Sequence, residues 1–196
     1  MDARGKVKVG ILISGRGSNM SALIAAAKAE DYPAEIALVI ANVPDAGGLE
    51  AARAEGVKAV AVDSQPFGKD RQAHEQAMDA ALRGAGVEVI CLAGFMRLLT
   101  PWFVDAWSGR MLNIHPSLLP DFKGLHTHAR AIEAGAIEVG CTVHVVTADL
   151  DDGPIVGQAR VPVLPGDDEE SLAARVLIEE HRLYPLCLAE FCRALA

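Results

Sequence analysis

Seven apolar runs, separated by polar turns and amphipathic stretches, set the outline of the chain. Val7–Ile13 (VKVGILI) has Lys8 as its only charged residue, the pattern of a strand buried on both faces of a parallel sheet. After the turn SGRGSN comes MSALIAAAKAE, an Ala-rich helix with Met20, Leu23, Ile24 and Ala27 as its apolar positions. Glu35–Ala41 is a second strand, NVPDAGG a turn cluster and Leu49–Glu55 a short helix. Lys58–Val62, the helix Asp70–Arg83 and the strand Val87–Ala93 continue the alternation. A repeated β-α order predicts right-handed crossovers and an α/β, doubly wound, mostly parallel sheet of Rossmann-like type.

The second half changes rhythm. Thr100–Pro101 reads as a helix start, with proline in the first turn, leading through Trp107 to the strand Arg110–Ile114. His128–Ala134 is a small helix. Gly140–Thr147 and Ile155–Val163 alternate more regularly, and only ADLDDGP divides them, which predicts an antiparallel C-terminal extension. Glu169–Leu195 is the final helix, with the stripe Leu172, Val176, Leu183, Cys187 and Phe191. Pro185 is expected to kink or interrupt it. There is no internal repeat, low-complexity tract or linker, so residues 1–196 read as one domain.

Composition narrows the function. Hydrophobic residues make up 51% of the chain, enough for a substantial core. Against 18 basic residues stand 26 acidic ones, a net charge of −8, which argues against a nucleic-acid or acidic-membrane partner. Cys91, Cys141, Cys187 and Cys192 form no C-x-x-C pair and read as buried thiols of a reducing compartment. MDARGKVKVG lacks the apolar core of a leader and no run approaches transmembrane length, so a cytoplasmic location is expected.

Two places look chemical. SGRGSN lies between a strand and a helix, where free N–H groups and the helix dipole favour an anion. Gly15 and Gly17 permit the tight turn, while Ser18 and Asn19 add donors and can cap the helix. The dinucleotide fingerprint fails, because Met20 holds the third glycine position and Asn42 stands where an acidic ribose ligand is expected. There is no Walker A lysine, so a single phosphate monoester fits better than NAD or ATP; the plain alternative is a strand–turn–helix without a ligand. The second place is Asn113 and His115, two apart on an extended segment and therefore on one face, ended by Pro116. An amide can donate to a developing oxyanion, and an imidazolium can do the same or act as general acid. The acidic turn Asp149-Leu150-Asp151-Asp152-Gly153 offers a carboxylate, although spacing does not say which. His126-Thr127-His128 is weak evidence for a metal, and His144 reads as a strand histidine. Glu180 falls on the apolar stripe of the last helix, either at the edge of a cleft or snorkelling to the surface.

AGFMRLLTP, LNIHPSLLPDFKGLHTH and DLDDGPI, with ISGRGSN and IEEHRLYP, resemble the folate-dependent formyltransferase family and, within it, the glycinamide ribonucleotide formyltransferases of purine biosynthesis. The resemblance covers nearly the whole chain in order. AGFMR and NIHPSLLP are shared by the broader family, and GLHTH with ISGRGSN narrows it. The extra C-terminal domain of methionyl-tRNA formyltransferases and the extra N-terminal domain of formyltetrahydrofolate deformylases have no counterpart in the sequence.

The resemblance implies transfer of the formyl group of 10-formyltetrahydrofolate, a co-substrate, to the amine of glycinamide ribonucleotide, with no metal. The enzyme would be a monomer or homodimer. Asn113, His115 and Asp151 match the catalytic trio, and Gly17, Ser18 and Asn19 the phosphate cradle. Glu180 matches an acidic residue near the acceptor's glycinamide end. Met96, Arg97, Leu98 and Leu99 match the segment lining the folate site, to which Asn113 also contributes. Arg71 matches a folate-binding arginine, with His74 where an aromatic is usual. Asp152 replaces a residue that is often small, and a cis Leu119–Pro120 bond is expected. Two rival readings are a non-catalytic phosphosugar- or folate-binding module on the same fold, and a metal-dependent hydrolase built on the histidines.

Overall fold

The computed structural model describes residues 5–195; the first residues of the stretch read above as free of a leader lie outside them. Seven strands form one sheet: β1 Val7–Ile13, β2 Ala34–Ala41, β3 Ala59–Ala61, β4 Val89–Leu92, β5 Met111–His115, β6 Glu138–Val145 and β7 Ile155–Pro162. Their order is β3-β2-β1-β4-β5-β6-β7. The first five pair in parallel, whereas β6 is antiparallel to β5 and β7 to β6. The expected architecture is therefore present, antiparallel extension included.

Period-two alternation divides the core. Val9, Ile11 and Ile13 of β1 pack in one cluster with Met20, Leu23, Tyr184 and Leu188, beneath α1 (Ser18–Ala27) and α6 (Glu169–Leu195). Leu12 points the other way, into a cluster with Met78, Leu82, Phe103 and Trp107 beneath α3 (Arg71–Gly84) and α4 (Pro101–Ala106). Among the described residues the other α-helices are α2 (Gly47–Ala54) and α5 (Thr127–Glu133), and Gln65–Phe67 forms a 3₁₀ turn. All four cysteines are buried and free. Among the described residues no helix is long and apolar enough to cross a membrane.

The chain runs outward from β1 to β3 and returns to β4 beside β1, so strand order reverses there. In open α/β sheets ligands bind outside the carboxyl ends of the strands at such a switch point. The loops after β1 and β4 lie side by side, with Ser14 N donating to Gly94 O at 3.2 Å. The Leu119–Pro120 bond in the loop after β5 is cis, as expected.

Two local details differ from the sequence reading. Of the two outcomes expected at Pro185, interruption does not occur: α6 continues as one helix of 27 residues. Tyr184, Cys187, Leu188 and Cys192 around it are buried, and that burial outweighs the lost hydrogen bond. Ser18 and Asn19 do not cap α1: the N-cap is Gly17 in the left-handed region, with no side-chain cap bond. Glycine reaches that conformation without steric cost. The Asn19 side chain is committed elsewhere.

Candidate active site

The end of β5 brings Asn113 and His115 to one face, opposite His144 and Thr142 of β6 respectively. The loop after β6 folds back so that Asp151 meets them. Gly153 permits this, since a Cβ there would lie 1.7 Å from Val145 O. Asp151 Oδ2 lies 3.4 Å from His115 Nδ1 and accepts from Gly124 N at 3.0 Å. Its Oδ1 lies 3.7 Å from His144 Nε2. His115 Nε2 donates to Phe122 O at 3.1 Å, so both nitrogens of that ring face oxygen acceptors. His144 Nδ1 donates to Val145 O at 3.1 Å, and Asn113 Nδ2 donates to His144 Nε2 at 3.2 Å. One amide proton of Asn113 is thus engaged and the other remains to be given. Phe122, His126 and Asp151 all adopt positive φ, at 51°, 56° and 50°. Such non-glycine strain gathers where surroundings over-determine the backbone.

Burial by itself would raise the Asp151 pKa. The neighbouring His144 ring, the Gly124 N–H bond and the His115 imidazole outweigh it and hold the carboxyl below its ordinary value. Asp149 and Asp152 are exposed, and Asp152 pairs instead with Lys123. The geometry thereby selects Asp151 from the acidic turn.

A second contact joins α1 to α6. Asn19 Nδ2 donates to Glu180 Oε2 at 2.7 Å, and Asn19 Oδ1 is buried without a partner. Glu180 is buried, not snorkelling, and desolvation pushes its pKa up against the opposing Asn19 bond. Ser18 is exposed at the start of α1, and Gly17 has a φ of 71°. Tyr184, one turn beyond Glu180, donates to Leu92 O and Leu112 O, tying α6 to the ends of β4 and β5.

The third element is the loop after β4. Met96 and Leu98 stand out with 70% and 64% exposure, and Arg97 and Leu99 are half-buried beside them. Arg71 Nη1 donates to Leu98 O at 3.4 Å, so the structure joins Arg71 to this segment. Among the described residues no group of three or more His, Cys, Asp or Glu is placed to hold a metal ion.

The profile of the formyl transferase family matches residues 7–188. The chain belongs to that family. A phosphoribosylglycinamide formyltransferase of Escherichia coli is 45% identical over 92% of this chain and 85% of its own length. A crystal structure of phosphoribosylglycinamide formyltransferase from Brucella melitensis has 54% identity and a TM-score of 0.91, covering 95% of this chain and 96% of that one. The trifunctional purine biosynthetic protein adenosine-3 of Drosophila pseudoobscura is 48% identical over 93% of this chain, which spans only 13% of that longer protein.

Within this formyl transferase, four residues at the site escaped the sequence reading. His144 is indeed a strand histidine, but its ring links Asn113 to Asp151. Asn42, noted only as the wrong residue for a dinucleotide site, accepts from Ser14 Oγ at 2.6 Å. Ser14 Oγ in turn accepts from Met96 N at 2.8 Å. Glu75 is buried and accepts from Thr100 at the end of the same loop. Only His144 carried a signal, since it is a histidine in an apolar strand.

Proposed function

We propose that this chain transfers the formyl group of 10-formyltetrahydrofolate to the primary amine of glycinamide ribonucleotide. The products are formylglycinamide ribonucleotide and tetrahydrofolate, a step of de novo purine biosynthesis. The convergence of Asn113, His115 and Asp151 in one pocket carries the reading. The named relatives support it.

The ribonucleotide phosphate sits at the start of α1, where Gly17, Ser18 and Asn19 present backbone N–H groups that the helix leaves unpaired. The free Asn19 Oδ1 and the Glu180 carboxyl accept hydrogen bonds from the rest of the acceptor. Arg71 and the segment Met96, Arg97, Leu98 and Leu99 hold the folate. The neutral amine attacks the formyl carbon, a C–N bond forms, and the carbonyl electron pair moves to oxygen. The second amide proton of Asn113 and His115 Nε2–H stabilise that oxyanion, which takes the place of Phe122 O. The ring that satisfies acceptors on both sides is the doubly protonated one, and Asp151 is the anion that holds it. Collapse breaks the bond to the folate nitrogen, and the proton lost by the amine ends on that nitrogen through the His115–Asp151 pair and water. The formyl donor is already activated, so this chemistry calls for no metal. The chain acts as one cytoplasmic domain, monomer or homodimer, on two small molecules.

The test is folate-product absorbance with and without glycinamide ribonucleotide. Product should form only when the ribonucleotide is present. Asn113→Ala should lower kcat by about 10²–10³-fold, the usual loss for one oxyanion donor. Product without the acceptor would mean hydrolysis, and no product in either case would mean a binding module.

A further inference from the structure

We propose that Glu75 is a positioning residue for the folate-binding segment: from α3 it fixes the far end of the 93–100 loop and so sets the backbone that reads the folate ring. The inference rests on the folate reading given under Proposed function.

Glu75 is 2% exposed. Its Oε1 accepts from Thr100 N at 2.7 Å, and its Oε2 accepts from Thr100 Oγ1 in a short contact. Both oxygens are thus spent on one residue. Taking a carboxylate out of water is costly, and helix packing alone is served as well by leucine or methionine. What a carboxylate adds is two directed, charge-assisted bonds. Arg71, four residues earlier and on the same helix face, donates to Leu98 O. One face of α3 therefore grips the loop at two points.

The other end is held separately. Ser14 N donates to Gly94 O, and the Asn42–Ser14 pair receives Met96 N. Between these anchors Met96 and Leu98 are solvent-facing, while Phe95 and Leu99 lie half-buried against the core beneath α3 and α4. The loop is held at its two ends and by these two side chains, and at its exit the backbone is fixed by the Glu75 carboxylate. Thr100 is also the N-cap of α4, so the exit anchor is continuous with a helix packed on the core.

The test uses Glu75→Ala, Glu75→Gln and Thr100→Val in the full chain, with both substrates varied and amide exchange followed at Thr100. Glu75→Ala should raise the KM for 10-formyltetrahydrofolate about 10–100-fold, as expected for loss of charge-assisted bonds. The KM for the ribonucleotide and kcat at saturation should stay within about twofold, which a general loss of structure would not do. Thr100 exchange should quicken in the same variant. Glu75→Gln keeps an acceptor for Thr100 N and should recover most of the affinity, with Thr100→Val falling between. A folate KM unmoved in Glu75→Ala, or moved no more than that of the ribonucleotide, overturns the proposal. If Glu75→Ala does not fold, Thr100→Val decides by the same split. A wild type that does not use 10-formyltetrahydrofolate overturns the functional reading and this proposal with it. An active wild type with an indifferent variant overturns this proposal alone.

Discussion

Asp151 and Glu180 are carboxylates with the same exposure, 7% each, yet their surroundings push them in opposite directions. Asp151 lies among two imidazoles and a backbone N–H, and these outweigh its desolvation and keep it ionised. Glu180 has one neutral amide, which does not outweigh burial, so its pKa rises. Burial alone therefore predicts nothing about charge; the count and charge of the donors decide. The Asp151 carboxylate finds its partners within the protein. Beside Glu180 an acceptor, Asn19 Oδ1, is buried and left unpartnered.

The largest effect should come from breaking the Asp151 pocket. Asp151→Asn removes the charge while keeping size, and asparagine tolerates the positive φ of 50° found here. Turnover at neutral pH should fall by roughly 10²–10⁴-fold, the range for acid–base assistance. On the proposed mechanism His115 and Asp151 act as a unit, so the double variant Asp151→Asn, His115→Ala should be little worse than the poorer single one. A double-mutant cycle at saturating substrates measures this, and strictly additive losses would separate the pair. The pH dependence has a definite sign. The folded-state pKa of Asp151 is depressed, so its contribution to stability is present above the ordinary carboxylate range and disappears as pH falls through the lowered value. Asp151→Asn should flatten the acid limb of the stability profile.

How much of this contrast was legible beforehand depends on the distance over which each feature is encoded. Lys8 as the only charge in β1 announced a doubly buried strand, and period two put Asn113 and His115 on one face. Both patterns live within a few residues. Spacing alone did not separate Asp151 from Asp149 and Asp152, and only the family resemblance pointed to it, because the choice is made by the fold-back at Gly153 and a positive φ, neither of which has a spacing signature. The apolar stripe alone left Glu180 between two roles, and only the resemblance gave it one, because its partner, Asn19, lies 161 residues away. The supports of the loop after β4 were invisible for the same reason. Ser14 meets Met96 across 82 residues and Glu75 meets Thr100 across 25. The capping expectation at Ser18 and Asn19 failed because a local rule competed with a tertiary partner, and the tertiary partner won.

A middle effect, with reversed sign on stability, should come from Glu180→Gln. A raised folded-state pKa means that the group's contribution is fully present below the ordinary glutamate value and is lost as pH rises through the raised one. Once pH exceeds that raised value the ionised, buried Glu180 is a liability, whereas the amide of glutamine still accepts from Asn19. Glu180→Gln should therefore stabilise the protein by roughly 0.5–2 kcal/mol at the alkaline end of the profile, in the manner of functionally costly stabilising changes. The gain should shrink toward zero in acid, while the KM for the ribonucleotide rises. Denaturant unfolding at several pH values reads the first and steady-state kinetics the second. A variant that is destabilised at the alkaline end would mean that the Glu180 charge is already compensated, and the contrast with Asp151 would fail.

The smallest effect lies at the rim of the Asp151 pocket. Asp152 stands beside Asp151 and is exposed, and Lys123 reaches it in a short ion pair. Lys123 belongs to the loop that also supplies Phe122 O and Gly124 N to the pocket. Removing Lys123 leaves Asp152 as an uncompensated negative charge one residue from Asp151, and it removes one of the ties between the two loops. Both partners are partly solvated, with side-chain exposures of 36% and 55%, so water and salt screen the pair. Exposed pairs contribute about 0–1 kcal/mol, and Lys123→Ala should cost no more than that in stability, less at high salt. Turnover should fall only a few-fold, and Asp152→Asn should suppress most of that fall, because the charge that Lys123 balanced is then gone. The measurement is a cycle of Lys123→Ala and Asp152→Asn at low and high ionic strength. Coupling that persists unchanged in high salt would show a packed contact between the loops instead of a screened charge pair. The Asp151 pocket would then extend to its exposed rim, and its difference from the Glu180 pocket would be one of loop packing as well as of donors.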